Sequence, residues 1–190
     1  CSVDDCSNYA VSFADTCFIH HPDQGQYQNT VKEHIKRNNL LKQLNFSFTD
    51  LSGVDFSGKE IRHCLFSHVK FNEASFKKCI FQFVFMDFGL FHTCDFQEIS
   101  MHFSVFAGSE LSGTTFKNSD LIKSNFAGTV CIDCDFSDSD LYDSRFVNSR
   151  LVGIRFVDCN LKRTNFTYAS RDDVTFKYSN FEEAIFQREE

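Results

Sequence analysis

The sequence predicts an all-β solenoid, a four-sided β-helix of about seven coils with four pentapeptides in each, and a short α-helical cap at its N-terminal end. Three observations predict it. A large apolar residue recurs at nearly every fifth position from Leu41 to Phe186 with no slip in register. The residue two places before it is usually small. Residues 20 apart are chemically alike.

The five-residue period comes first, because internal repeats override local propensities. Of the thirty positions ending in 1 or 6 between 41 and 186, eighteen are Phe and seven are Leu; Arg171 alone is polar. Two places upstream stand Cys64, Ala74, Cys79, Cys94, Ser104, Ser109, Thr114, Ser119, Ser124, Cys134, Ser139, Ser144, Cys159 and Thr164, with Lys59, Ile99 and Ile154 among the exceptions. The other three positions are mostly polar or Gly. A period of five matches neither the 3.6 of a helix nor the simple alternation of a strand. It fits a chain that makes a short strand, turns a corner and repeats. The large residue then fills the centre, the small one points inward near the corner, and the rest face water.

The number of sides follows from the columns. Centres 20 apart give an unbroken Phe column (Phe56, Phe76, Phe96, Phe116, Phe136, Phe156, Phe176) and an opposed one (Phe46, Phe66, Met86, Phe106, Phe126, Phe146, Phe166, Phe186). The other two columns are richer in Leu. A three-sided coil of three pentapeptides would mix Phe and Leu within each column, so four sides are preferred. Stacked rings add to simple area burial.

This pattern resembles the pentapeptide-repeat family, whose motif is roughly Ala/Ser/Cys, Asp/Asn, Leu/Phe and two variable residues. It stands here as Ser119-Asp120-Leu121, Ser139-Asp140-Leu141, Cys134-Asp135-Phe136, Thr164-Asn165-Phe166 and Ser179-Asn180-Phe181. The resemblance covers about residues 39–188 and implies a right-handed quadrilateral β-helix. Leu65, Ile80, Phe85 and Arg145 depart from the motif's second position. Residues 1–40 are read as an N-terminal segment with a capping helix and 41–190 as the solenoid. Thr30-Val31-Lys32-Glu33 has the form of a capping box, so the helix is expected at about 31–38, covering the first coil. Solenoids need such caps because their end strands expose unpaired amides. Gln187-Arg188-Glu189-Glu190 shows no comparable cap.

Composition narrows the function. With 25 Phe, no Trp and a net charge of −7, the chain lacks the basic face of a general nucleic-acid binder. No apolar run reaches the length of a membrane span and no signal peptide is visible. The first residue is Cys, which fits a segment of a longer protein better than a mature lipoprotein.

No catalytic centre is expected. No GxSxG, HExxH or phosphate-binding loop occurs, and the seven histidines do not converge with carboxylates at a recognisable spacing. Cys64, Cys79, Cys94, Cys131, Cys134 and Cys159 are read as small core residues, as suits the reducing cytoplasm. Cys131-Ile132-Asp133-Cys134 is a lone CxxC with both thiols inward. Cys1, Cys6 and Cys17 lie outside the repeat and are free to react. Neither a metal nor a cofactor is expected.

Two surface features remain. Leu65, Phe85 and Val105 share one outward position, flanked by Phe83, Phe103 and Phe88; six large apolar residues on one face mark an interface. They are covered by the N-terminal stretch carrying Tyr9, Val11, Phe13, Phe18 and Ile19, or they meet another protein or a second copy of the chain. Asp133, Asp135, Asp138, Asp140 and Asp143 form an acidic belt, followed by Arg145, Arg150 and Arg155. Some family members resemble B-form DNA in shape and charge and bind DNA gyrase in its place; the belt is what that likeness would use here. The main expectation is a non-enzymatic protein-interaction or scaffold module, bacterial and cytoplasmic. The resemblance also permits one domain of an effector secreted into a host cell; the alternative is a gyrase-protecting DNA mimic. Arg171 is expected to reach water through a local opening of its coil, since a buried unpaired charge costs several kcal/mol.

Overall fold

The computed structural model describes residues 1–186, so the uncapped end expected at 187–190 lies outside the described residues. Residues 41–186 form a parallel β-solenoid of about seven turns. Two opposite faces carry three-residue strands. One stacks Leu40–Lys42, Glu60–Arg62, Ile80–Gln82 and Ser100–His102; the other stacks Leu90–His92, Glu110–Ser112, Val130–Ile132, Arg150–Val152 and Ser170–Asp172. Every pairing joins positions 20 apart, as in Leu41 with Ile61 and Leu111 with Cys131. The remaining faces are joined mainly by single parallel bridges in the same register, such as Leu65 with Phe85 and Asp135 with Arg155.

Each corner is a tight turn. In Phe56-Ser57-Gly58-Lys59 the Lys59 amide donates to the Phe56 carbonyl (3.0 Å), and Gly58 has φ +71°. This is the pattern of a type II turn, with a left-handed third residue. Glycine, Asn and Asp tolerate that conformation, and they occupy many of these corners: Gly53, Gly128, Gly153, Asn118, Asn148, Asp138 and Asp158.

The centres form the core. In the unbroken column, successive rings from Phe76 to Phe136 lie 4.4–4.8 Å apart with planes within 13°. Phe106, Phe126 and Phe146 stack likewise at 5.1 and 4.8 Å. The columns meet edge to face: Phe116–Phe126, Phe126–Phe136 and Phe136–Phe146 are 5.7–5.8 Å apart and nearly perpendicular. Stacked and T-shaped pairs are the two geometries that the ring quadrupole favours. Phe116, Phe126, Phe136 and Phe146 each make both.

The small inward residue does more than fit. Its hydroxyl or thiol donates to the carbonyl of the centre 23 positions earlier: Ser109 to Met86 (2.8 Å), Ser139 to Phe116 (2.7 Å), Thr164 to Leu141 (2.8 Å), Cys79 to Phe56 (2.8 Å) and Cys159 to Phe136 (3.0 Å). Buried carbonyls need such donors, which explains Ser, Thr and Cys there. Lys59 also follows from geometry: its stem is buried and its ammonium donates to the Asn38 carbonyl (3.0 Å) at the C-terminal end of the helix, where a cation is favoured.

The cap helix spans Gln24–Arg37 and buries Tyr27, Val31 and Ile35, one stripe at a spacing of four. It begins well before the expected position 31. The Thr30–Glu33 capping box is not used, because Thr30 already lies within the helix and its hydroxyl donates to the Gln26 carbonyl (3.0 Å), while Glu33 pairs with Arg37. The working cap is Asp23, whose carboxylate accepts from the Gln26 amide (2.8 Å).

Arg171 is exposed, but the expected opening of the coil is absent. Its backbone stays in the ladder, paired with Leu151. It reaches water because the last described coil is exposed, with core-type positions such as Phe181 54% accessible. Its guanidinium lies 4.9 Å from the Phe186 ring.

Replacing Phe116 by Ala removes a ring that makes both kinds of contact. It should lower unfolding free energy by about 3–5 kcal/mol in urea titrations followed by circular dichroism, with Phe116→Leu losing clearly less. Asp23→Ala should cost about 1 kcal/mol, read by the same titration, whereas Thr30→Ala should cost less than half of that.

Candidate functional site

The six apolar positions expected on one face are brought together and open to solvent. Phe83, Phe85, Phe88 and Phe103 are between 42 and 55% accessible, far from the burial of the central rings, and Leu65 and Val105 are partly exposed. Leu65, Phe85 and Val105 run up the middle as a bridged column. On one flank His63, Phe83 and Phe103 stack at 5.4 Å per step, and the Lys123 ammonium lies 5.5 Å from the last ring. On the other flank Phe48, His68 and Phe88 stack at 4.7 and 5.2 Å. The Phe88 ring then lies over Gly108, where an added Cβ would fall 2.6 Å from it. Ile80 and Leu90 extend the apolar area across both corners.

The flanking rings sit at a costly place. Phe48, Phe83, Phe88 and Phe103 are corner residues with φ between 53° and 68°. A left-handed bulky residue costs roughly 1–2 kcal/mol, and stacking returns about 0.5–1.5 kcal/mol per pair. The fold therefore gains little from these rings, and Lys123 and Gly128 make the equivalent corners later in the chain.

The N-terminal stretch does not cover this face. It packs on the edge of the first coil: the Ser12 amide donates to the Asn45 carbonyl (2.8 Å), the Asn45 side chain donates to the Ala10 carbonyl (2.8 Å), and Val11 is buried. Phe13 meets His34 at 4.9 Å and Phe46 at 6.0 Å, while Tyr9 remains exposed. Tyr9, Asn45, Phe48, Leu65, Phe85 and Asp87 line a groove of about 600 Å³, so the segment walls one margin of the apolar face.

The five aspartates do not gather into one patch. Their positions run across three corners and the two faces between them, around the coil rather than along it. Asp135 accepts from the Ser137 amide (2.9 Å) and meets Arg155 (3.5 Å) and Lys117 (3.8 Å). Asp140 accepts from the Tyr142 amide (2.9 Å) and the Asn160 side chain (3.0 Å). These carboxylates shape turns and pair with neighbouring coils. His63 and His68 belong to the aromatic ladders.

Chemistry inside the solenoid is suppressed. Burial pushes the thiols of Cys79 and Cys94 up to about 12 and those of Cys134 and Cys159 up to about 11, and it raises Cys64 and Cys131 as well. The Cys131–Cys134 pair therefore holds protonated thiols. All nine cysteines are free.

The family model for pentapeptide repeats matches residues 45–82 and 119–156 in eight copies. The chain carries pentapeptide repeats. Several solved structures are similar to it. A trypsin-treated form of QnrB1, a plasmid-mediated fluoroquinolone resistance protein, is 20% identical over 78% of this chain and 82% of that one, with a TM-score of 0.40. Rfr23 from the cyanobacterium Cyanothece 51142 is 12% identical over 86% and 97%, with a TM-score of 0.37. A pentapeptide repeat protein of the Arabidopsis thaliana thylakoid lumen is 16% identical over 66% and 70%, with a TM-score of 0.34. No curated protein matches the sequence. No helix among the described residues is long and apolar enough to cross a membrane.

The six solenoid thiols should resist a thiol reagent in the native state at pH 8 and react fully after unfolding, counted by mass spectrometry. Their raised values also fix a sign. Unfolded thiols ionise near pH 8.5 while folded ones hold their protons to about 11–12. Stability should thus fall as pH rises above about 8.5, and less so in Cys79→Ser/Cys134→Ser, measured as melting temperature.

Proposed function

We propose that this pentapeptide-repeat chain is a non-enzymatic interaction module that docks a protein on the aromatic face centred on Phe85. The observation that supports this most is the set of phenylalanines at left-handed corners, exposed and of little use to the fold. Most other corners of the same solenoid carry Gly, Asn, Asp or charged residues, so folding alone does not call for rings there. Three exposed columns side by side give a flat, rigid, apolar surface over three coils, the composition of an interface centre. A solenoid suits this role because its backbone does not rearrange on binding, so the ordering cost of association is small.

The partner is another protein or a second copy of the chain, and one set of substitutions tests the face in either case. Phe83→Lys, Phe85→Asn and Phe88→Gly convert this coil to the residues found two coils later at Lys123, Asn125 and Gly128. The triple variant should melt within a few degrees of the parent. Sedimentation equilibrium of the parent should show a dimer that the variant loses, which identifies the second copy. If the parent is monomeric, a photo-crosslinker at Leu65 should capture a defined protein from the native cell, and the triple substitution should abolish capture. A monomer with no captured partner, or capture that the substitutions leave unchanged, overturns the reading. Unfolding of the variant would show the rings to be structural.

A further inference from the structure

Residues 1–23 fold with almost no core of their own: Val11 and Cys17 are the only buried ones among them. Segments this short ordinarily need a staple. Short backbone contacts, Ser2 amide to Asp15 carbonyl (2.9 Å) and Val11 amide to Thr16 carbonyl (2.9 Å), close two loops. Their effect is to bring four side chains to one point.

Those side chains are Cys1, Cys6, Cys17 and His20, whose donor atoms all lie within 4.8 Å of one another. Sγ of Cys6 is 3.9 Å from Sγ of Cys17, and Nδ1 of His20 is 3.5 Å from the sulfurs of both Cys1 and Cys17. A tetrahedral zinc ion with Zn–S near 2.3 Å and Zn–N near 2.0–2.1 Å requires edges of about 3.8 Å between sulfurs and about 3.6 Å between sulfur and nitrogen. All three separations match these edges. A disulfide is a poorer account. It needs sulfurs about 2.05 Å apart, and it leaves the approach of Cys1 and His20 unexplained.

Asn8 lies beside the cluster, its side-chain amide donating to the Cys17 sulfur (4.0 Å). An outer donor of this kind orients a metal-bound thiolate.

We propose that Cys1, Cys6, Cys17 and His20 form a structural zinc site that staples the N-terminal segment onto the first coil. Four protein donors fill a tetrahedral ion and leave no open position, so the site is structural rather than catalytic. Three sulfurs and one imidazole suit zinc over magnesium or calcium, which take oxygen ligands. Binding displaces the protons of the three thiols. The site feeds directly into the cap: Tyr27 meets Phe18 at 6.0 Å and His21 at 4.9 Å, one turn from the Asp23 cap. The sequence led to no metal because a second CxxC is missing; the spacing Cys-x4-Cys-x10-Cys-x2-His is irregular, and only folding makes it converge.

The test uses the whole chain, reduced and stripped by chelator, then titrated with Co²⁺. One Co²⁺ per chain should bind, with the strong visible bands of a tetrahedral ion and a thiolate charge-transfer band, and Zn²⁺ should displace it. Removing zinc should lower the melting temperature and expose residues 1–23 to protease. Cys17→Ser and His20→Ala should weaken binding beyond the roughly 10–100-fold caused by losing an outer hydrogen-bond partner of a ligand, while circular dichroism shows the solenoid intact. Cys134→Ser should bind as the parent does, since Ser139 and Ser144 fill the same position in neighbouring stacks. The proposal is overturned by a reduced chain that binds no Co²⁺, by binding that Cys134→Ser abolishes and Cys17→Ser does not, or by a Cys6–Cys17 disulfide in a chain that takes no metal after reduction.

Discussion

The structure rests on a return path of four pentapeptides. Each strand must hydrogen-bond to its copy in the next coil, so every backbone position recurs at the same azimuth one strand spacing further along. A side chain therefore always lies above its own counterpart. This single constraint makes the core a set of columns, and it favours a planar residue that stacks on itself. Phe meets that need with offset stacking along the column and edge-to-face contact across the core. Met86 interrupts the second column at the level where the centres on both sides, Phe81 and Phe91, are themselves aromatic. At Phe46, Phe126 and Phe146 those flanking centres are Leu or Cys, so the space a ring needs is left free.

The same constraint governs polar groups. A short strand leaves the carbonyl at each centre without a lateral partner. The turn amide supplies one hydrogen bond and the small inward side chain of the following coil supplies another. Ser, Thr and Cys are equivalent in this role because each carries one rotatable donor. The core cysteines are thus hydrogen-bond donors rather than reagents, and their raised pKa values express the cost of making a charge there.

On the surface, self-stacking builds extended features from repeated single substitutions. One exposed Phe at a corner would be unremarkable scatter. Phe83 and Phe103, with His63 beneath, become a ladder, and two ladders flanking Leu65, Phe85 and Val105 become a face. The aspartates illustrate the opposite case. Five of them between positions 133 and 143 look dense in sequence. Successive positions turn corners, so the charge is dispersed around the circumference and met by Lys117 and Arg155 from the coils on either side.

The sequence alone determined what is periodic: the four sides, the length of the coil, the identity of the core and the apolar face, because each is a property of position modulo five or 20. It also marked Arg171 as unable to sit in a closed core. Tertiary structure decided what is aperiodic. Asp23 rather than Thr30 starts the helix, although the Tyr27, Val31 and Ile35 spacing was a legible sign of the longer element. The N-terminal stretch lies on the first coil edge and leaves the aromatic face open, a choice between two docking surfaces that no local pattern encodes. The meeting of Cys1, Cys6, Cys17 and His20 depends on loops that carry the chain back to where it began. Repeats report themselves because one local geometry is written many times; a contact made once, by residues distant in the chain, leaves no period to read.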